Sequence, residues 1–265
     1  MRLIYDISEL APYVNWPYFF FAWQVKDPAE KARLRQEAET VLTDLEGRYH
    51  VYALFEILDA NGDGDDIVVG RSRIPLLRQQ HPTAPGQPNL CLSDFLRPLS
   101  SGISDRIGIF ATSVDMGLES DFDADPYQKM MVQLLADRLA EAAAERMHEQ
   151  VRKEYWGYAK DEQLTIAEMQ IEKFQGIRPA IGYPSLPDTS LNFVLDELLD
   201  MKQIGIRLTE SGAMKPHASV SGFMFAHPEA RYFNLGKIGE DQLHDYASRR
   251  GLPVEVARKF LAANL

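Results

Sequence analysis

The sequence predicts an α+β fold built on antiparallel strands. Three observations carry that prediction. Strand-like runs come in pairs around turns, at Tyr49 to Val69 and again at Ser219 to Leu235, which is the signature of hairpins. Long helical periods are inserted between those pairs rather than alternating with single strands. No Gly-x-Gly-x-x-Gly, no phosphate-binding loop and no nucleophile elbow occurs, so a Rossmann-type methyltransferase is not indicated.

Composition sets the bounds. A chain of 265 residues suits one large domain or two small ones, and 45% hydrophobic with 25% charged residues is an ordinary globular balance. Thirty-nine acids against 28 bases give a net charge of −11. That argues against binding nucleic acid or an anionic membrane, and favours a basic partner surface or a cationic ligand. Cys91 is alone, so no intrachain disulfide forms and a reducing compartment fits. Met1 to Asp6 lacks the apolar core of a signal peptide. No run approaches the roughly 18 apolar residues of a membrane span. The expected location is the cytoplasm.

In chain order, Trp16 to Trp23 is an aromatic run expected to be mostly buried. Asn15, at its mouth, is a candidate hydrogen-bond partner for a ligand. Pro28 to Gly47 predicts a helix, with proline in the first turn, glycine at the stop and Leu34, Ala38, Val41, Leu42 and Leu45 as its apolar face. Asp59 to Asp65 begins like a calcium-binding EF-hand loop. It fails at Asp66, where an aliphatic belongs, and at Gly70, where a bidentate Glu belongs, so a hairpin turn is expected. Leu90 to Leu96 reads as a short helical piece and Arg106 to Val114 as a buried strand.

Pro126 to Tyr155 predicts the longest helix. Asp137, Glu141, Glu145 and His148 fall on one narrow stripe of it. Two readings stand: a solvated acidic face, or an acidic ledge toward a cationic ligand or a partner's histidine. Thr165 to Glu168 is a capping box opening a short helix to Phe174. Ser190 to Lys202 predicts another helix. Ile206 to Thr209, Ser219 to Ala226 and Arg231 to Leu235 read as strands, with His227 to Ala230 as the last turn. His217 and His227 have no second ligand at metal spacing, and no metal site is expected. Two terminal helices meet at a glycine, as in a helix-turn-helix. Their bases are nearly matched by acids, so no basic stripe supports DNA binding.

The most informative stretch is Gln175 to Pro187, with three prolines and two glycines in thirteen residues. No regular element tolerates that density. Arg178 and Tyr183 both precede prolines, which pushes them toward extended conformations. The result is a stiff loop with one guanidinium and one phenol at defined places. It is either a plain connection between helices, or a mount for a carboxylate and a flat or cationic ligand.

Several motifs carry a resemblance that covers nearly the whole chain. Arg178-Pro179-Ala180-Ile181-Gly182-Tyr183-Pro184 is similar to the Arg-Pro-Ala-Pro-Gly-Tyr-Pro signature of the activation domain of cobalamin-dependent methionine synthase. Ala136 to Ala142, Tyr155-Trp156-Gly157-Tyr158, Leu208 to Ser211, Ala218 to Gly222, Phe225 to Pro228 and Asp245-Tyr246-Ala247 resemble that family in the same order. The resemblance implies a helmet-like α+β domain around a bent antiparallel β-sheet with flanking helices, spanning residues 1–265 as one domain. It implies binding of S-adenosylmethionine and docking on a cobalamin-binding domain or corrinoid protein. It further implies that an electron from flavodoxin or another reductant, with the methyl group, restores methylcobalamin from cob(II)alamin on that partner. The alternative is a docking or chaperone module that grips a corrinoid protein without methyl transfer of its own.

The resemblance also assigns residues. Arg178 matches the arginine that contacts S-adenosylmethionine. Pro179, Ala180 and Tyr183 match the rest of the loop, with Tyr183 toward the corrinoid and the one catalytic candidate. Tyr232 and Phe233 match an aromatic pair on the ligand. Asp137 and Glu141 match acids near ligand and partner, Asp137 as the receiver of the histidine that leaves cobalt. Two departures stand out. Asn15 occupies the place of the family's aspartate, and Thr189 that of a histidine expected near the corrinoid. Because Met1 lies almost at the expected domain boundary, two readings stand: a free-standing component that works in trans, or a domain cut from a larger synthase.

Overall fold

The computed structural model describes all 265 residues. The protein is α+β. Its main sheet has six strands in the order β4-β3-β2-β5-β8, with β1 also paired to β2. In chain order the elements are β1 (Arg2–Tyr5), α1 (Ile7–Leu10), α2 (Trp16–Ala22), α3 (Pro28–Leu45), β2 (Val51–Asp63), β3 (Asp66–Val69), β4 (Ser72–Pro75) and β5 (Asp105–Val114). Then follow α4 (Gly117–Ser120), α5 (Pro126–Gln150), α6 (Ile166–Gln170), α7 (Leu191–Leu199), β6 (Arg207–Leu208), β7 (Met214–Lys215), β8 (Ser219–Met224), α8 (Glu240–Arg250) and α9 (Val254–Phe260). The small β6–β7 pair forms a sheet of its own. Two compact units divide the chain: unit 1 holds residues 1–55, 110–174 and 199–220, and unit 2 holds 56–109, 175–198 and 221–265.

Unit 1 is organised around α5. Asp125 caps it by accepting the Tyr127 N–H at 2.9 Å, and Pro126 occupies the first turn. Met131, Leu135, Leu139, Ala143 and Met147 are fully buried along it. The helix closes in a π turn, Val151–Tyr155, in which the Trp156 N–H donates to the Val151 carbonyl five residues back. There the Arg152 side chain is fully buried. It donates to Glu162 at 2.6 Å and lies over the Phe174 ring, 4.2 Å from its centroid. The capping box at Thr165 and Glu168 forms with both reciprocal bonds.

The aromatic run departs from expectation. Of α2, only Phe19 is buried; Tyr18 is 62% exposed and Phe21 82%. A seven-residue helix offers one face to the core, and the other rings turn outward.

In unit 2 the β2–β3 hairpin turns at Asp63-Gly64, the second of the two turn signals in Asp59 to Asp65, rather than at Asn61-Gly62. Asp63 pairs with Asp66, and Gly64 takes φ +61°. Asn61 and Gly62 belong to β2 itself. A Cβ on Gly62 would sit 2.4 Å from the Ser93 carbonyl oxygen, so glycine there permits close backbone approach. Of the carboxylates that suggested an EF-hand, Asp63 pairs with Arg73 at 2.5 Å and Asp59 lies 3.9 Å from Arg106. No cluster of three His, Cys, Asp or Glu is placed to hold a metal. Helices α8 and α9 meet at Gly251 with φ +65° and pack on Leu77, Leu235 and Ile238. Their arginines are engaged, Arg249 with Asp66 and Asp245, and Arg258 with Glu240.

Two further expectations are corrected. Arg231 to Leu235 is not a strand; instead the Leu235 N–H donates to the Pro184 carbonyl at 2.9 Å and the Tyr232 hydroxyl accepts from the Arg178 N–H. The predicted helix at 190–202 breaks at Asp200, whose φ of +51° separates α7 from a 3₁₀ turn, Met201–Ile204.

Candidate functional site

The stretch from Gln175 to Pro187 lies in unit 2 and follows β8 as an irregular antiparallel edge. Ile177 and Phe225 exchange both backbone hydrogen bonds, at 3.0 and 2.9 Å. The Phe223 N–H donates to the Pro179 carbonyl at 3.1 Å, and the Ile181 N–H to the Ser221 carbonyl at 2.9 Å. The nitrogen of Pro179 faces β8 but has no N–H to return to Phe223, so that pair is joined by one backbone bond where Ile177 and Phe225 have two. This register turns the intervening N–H groups, of Arg178 and Ala180, to the side away from β8. The Tyr232 hydroxyl takes the one from Arg178 at 2.9 Å. Gln175 closes the near end of the stretch through its side-chain amide, which donates to the Ala226 carbonyl at 2.8 Å.

At the far end the chain doubles back. The Gly182 N–H donates to the Leu186 carbonyl at 2.8 Å, and the Leu186 N–H to the Tyr183 carbonyl at 2.8 Å. Gly182 has φ +89°, a conformation L side chains rarely adopt. Tyr183 sits at the tip, 51% exposed. Thr189 is close by: a Cβ on Gly182 would meet its methyl at 3.6 Å.

So the structure brings together Arg178, Pro179, Ala180, Tyr183, Thr189 and Tyr232. Pro179 and Ala180 are buried and Tyr232 is exposed. Phe233, next in the chain, is only 7% exposed. Behind the loop lies an arrangement that residue patterns alone did not reveal. Asp188 accepts from the Tyr246 hydroxyl at 2.6 Å and from the Ser190 N–H at 2.8 Å, and Arg250 donates to the Ser190 hydroxyl. Burial first, then the Asp188 charge, raises the Tyr246 phenol well above its usual range, so it stays a donor. The sequence signal was a lone Tyr within an apolar helix stripe.

The remaining candidates lie in unit 1. Asn15 is the N-cap of α2, its side chain 3.5 Å from the Tyr18 N–H. On α5, Asp137, Glu141 and Glu145 are partly buried and His148 is fully buried. That does not fit a freely solvated stripe. Asp137 lines a cavity of about 260 Å³ with Glu119, Met130, Leu134 and His217. Burial pushes the Asp137 carboxyl above its usual range. His217 and Arg138 pull it back, while Glu141 and Glu119 add to the rise.

A family model described as vitamin B12 dependent methionine synthase, activation domain, matches residues 6–251. The chain belongs to that activation-domain family. A solved structure described as "Crystal Structure of the MetH Reactivation Domain bound to AdoHcy" is similar to it, with 39% sequence identity and a TM-score of 0.95. The match covers 100% of this chain and 90% of that one. The α+β fold on an antiparallel sheet is therefore the fold of the methionine synthase activation domain. As in the sequence reading, the chain has no helix long and apolar enough to cross a membrane.

Proposed function

We propose that the chain binds S-adenosylmethionine and serves as the reactivation component of a cobalamin-dependent methionine synthase, with residues 1–265 working as one domain in the cytoplasm. One observation carries the proposal. The Arg178-to-Tyr183 stretch is held extended on β8, with the Ala180 N–H facing away from that strand. Such an edge offers main-chain partners to a ligand lying along it, and a guanidinium to a carboxylate. The AdoHcy held by the solved relative is S-adenosylmethionine without its methyl group, which supports a ligand of this class.

In this reading Arg178 holds the methionyl carboxylate, and Pro179 and Ala180 line the ligand. Tyr232 and Phe233 supply its flat contact. Asn15 and Glu141 are further proposed contacts. Tyr183, stiffened between Gly182 and Pro184, is turned to the partner's corrinoid, with Thr189 beside it. Asp137 and Glu141 meet the cobalamin-binding domain, where Asp137 receives the partner's imidazole. S-adenosylmethionine supplies the methyl group, and flavodoxin or another reductant supplies the electron, to cobalamin carried by the partner. The chain's own contribution is positioning, which lowers a barrier without forming a bond to the protein.

Isothermal titration tests the binding half. S-adenosylmethionine should bind, and Arg178→Ala should weaken it by about tenfold or more, the worth of a charge-assisted pair. Equal affinity in the variant would sink the assignment. The second half needs the cognate corrinoid protein with a reductant. Docking without appearance of methylcobalamin would favour the docking-module alternative.

A further inference from the structure

Unit 2 contains a cleft of about 790 Å³ that no residue of the Gln175-to-Pro187 stretch lines. Its walls are the β2–β3 turn, residues 93–98, the start of β5 and residues 226–228. That volume lies within the range of sites for small organic ligands. Its charge runs against the chain's acidity. Arg78, Arg97 and Arg106 line it, against Asp94 and Asp105.

The pairing inside the cleft decides what charge is left over. Arg78 is committed, to Asp65 and Asp94 at 2.7 Å each and to the Asn89 carbonyl at 2.8 Å. Asp105 is also committed, but to backbone. One of its oxygens accepts the Arg97 N–H and the other the Arg106 N–H, at 2.8 and 2.9 Å. Neither guanidinium is neutralised by it. Arg106 reaches only Asp59, at 3.9 Å, and both of those side chains are well exposed. The Arg97 guanidinium engages no carboxylate.

Beside them stands a flat surface. His227 is exposed and is backed by Phe95, with ring centroids 6.4 Å apart and planes 37° from parallel. Its Nδ1 accepts the Glu229 N–H at 3.1 Å, so the neutral ring carries its proton on Nε2 and offers a donor there. Pro98 and Pro228 add apolar lining.

We propose that this cleft is an anion site for a nucleotide-type ligand, with Arg97 and Arg106 on the phosphate and His227 against the ring. Occupancy bears on the Arg178 loop through covalent and hydrogen-bonded neighbours. The Ala226 carbonyl, in the cleft wall, accepts from Gln175, and Phe225 exchanges both backbone bonds with Ile177.

Titration calorimetry of the full chain with AMP, adenosine and inorganic phosphate tests the site. AMP should bind more tightly than either fragment. The double variant Arg97→Ala/Arg106→Ala should weaken AMP by about tenfold or more, as expected for loss of two charge-assisted contacts. The same variant should keep its circular dichroism spectrum, and its S-adenosylmethionine affinity to within about twofold, since neither arginine is placed at the Arg178 loop. In the wild type, AMP should slow amide exchange at Gln175 to Ile177. The proposal fails if AMP gives no binding up to about 10 mM. It fails equally if the double variant binds AMP unchanged, or if S-adenosylmethionine displaces AMP competitively.

Discussion

Two segments invert what their compositions suggest. The aromatic run of α2 has the residues of a core, yet Phe21 is 82% exposed and Tyr18 62%. The Gln175-to-Pro187 stretch has the residues of a surface linker, yet Ile177 is 2% exposed, Ile181 7% and Ala180 8%. The difference lies in what each backbone does. Helix α2 satisfies its own hydrogen bonds, so nothing draws its outer rings inward, and a short helix buries one stripe. The proline-rich stretch cannot satisfy itself, so it completes its bonds on β8 and is carried into the core by that pairing. Burial follows the partner of the main chain as much as the apolarity of the side chain.

Mutations can break or sharpen that contrast. The largest effect is expected from Phe19→Ala, which removes the one buried ring of α2 and should cost about 3–5 kcal/mol in chemical denaturation. Phe21→Ala, two residues on, should stay within about 0.5 kcal/mol. Similar losses at both sites would mean that the outer ring is covered in solution. Next, Gly182→Ala should cost about 1 kcal/mol, because φ is +89° there while the nearest atom, the Thr189 methyl, is at an ordinary 3.6 Å. Its effect on S-adenosylmethionine affinity should exceed its effect on stability, since the strain falls where Tyr183 is aimed.

A smaller effect is expected at Asp137, and its sign depends on pH. Burial raises the folded carboxyl above its unfolded value of 3.8. The folded state therefore binds the proton more tightly, and stability falls as pH rises through the window above the unfolded value. Asp137→Asn should raise the melting temperature at pH 7, and the gain should vanish below about pH 4, where both forms are neutral. A gain that persists in acid would refute the electrostatic cause. The smallest effect is expected at Asn15→Ala. Its capping contact is long, at 3.5 Å, so the loss should sit near the low end for caps, about 0.5 kcal/mol by thermal melting.

Local signals made much of the architecture legible. Capping residues and a 3.6-residue period placed α3, α5 and the α8–α9 pair, and an unbroken apolar run placed β5. The strands β1, β4, β6 and β7 are two to four residues long, too short to show any period. They exist because a distant partner supplies the other half of each bond, as where Arg2 to Tyr5 pairs with Val51 to Leu54. The same reasoning explains Arg231 to Leu235. The turn at His227 to Ala230 suggested a strand paired with β8, but β8 already has the Gln175 stretch at that edge. Within the site, the stiffness of the loop could be read from its prolines. The Tyr232 hydroxyl on Arg178 and the Tyr246 hydroxyl on Asp188 could not, because each joins residues more than fifty positions apart.

The π turn at Val151–Tyr155 fixes a length as well as a chemistry. A wide turn holds one residue more than an α-helical turn, which offsets every later side chain by about 100° around the axis. Arg152 lies at the start of that turn, and Glu162 and Phe174, which hold its side chain, come after it. Shortening the segment by a single amino acid would re-aim the chain that carries Glu162 and Phe174 and part them from the guanidinium. Variation here is therefore tolerated as exchange of residues but not as their loss.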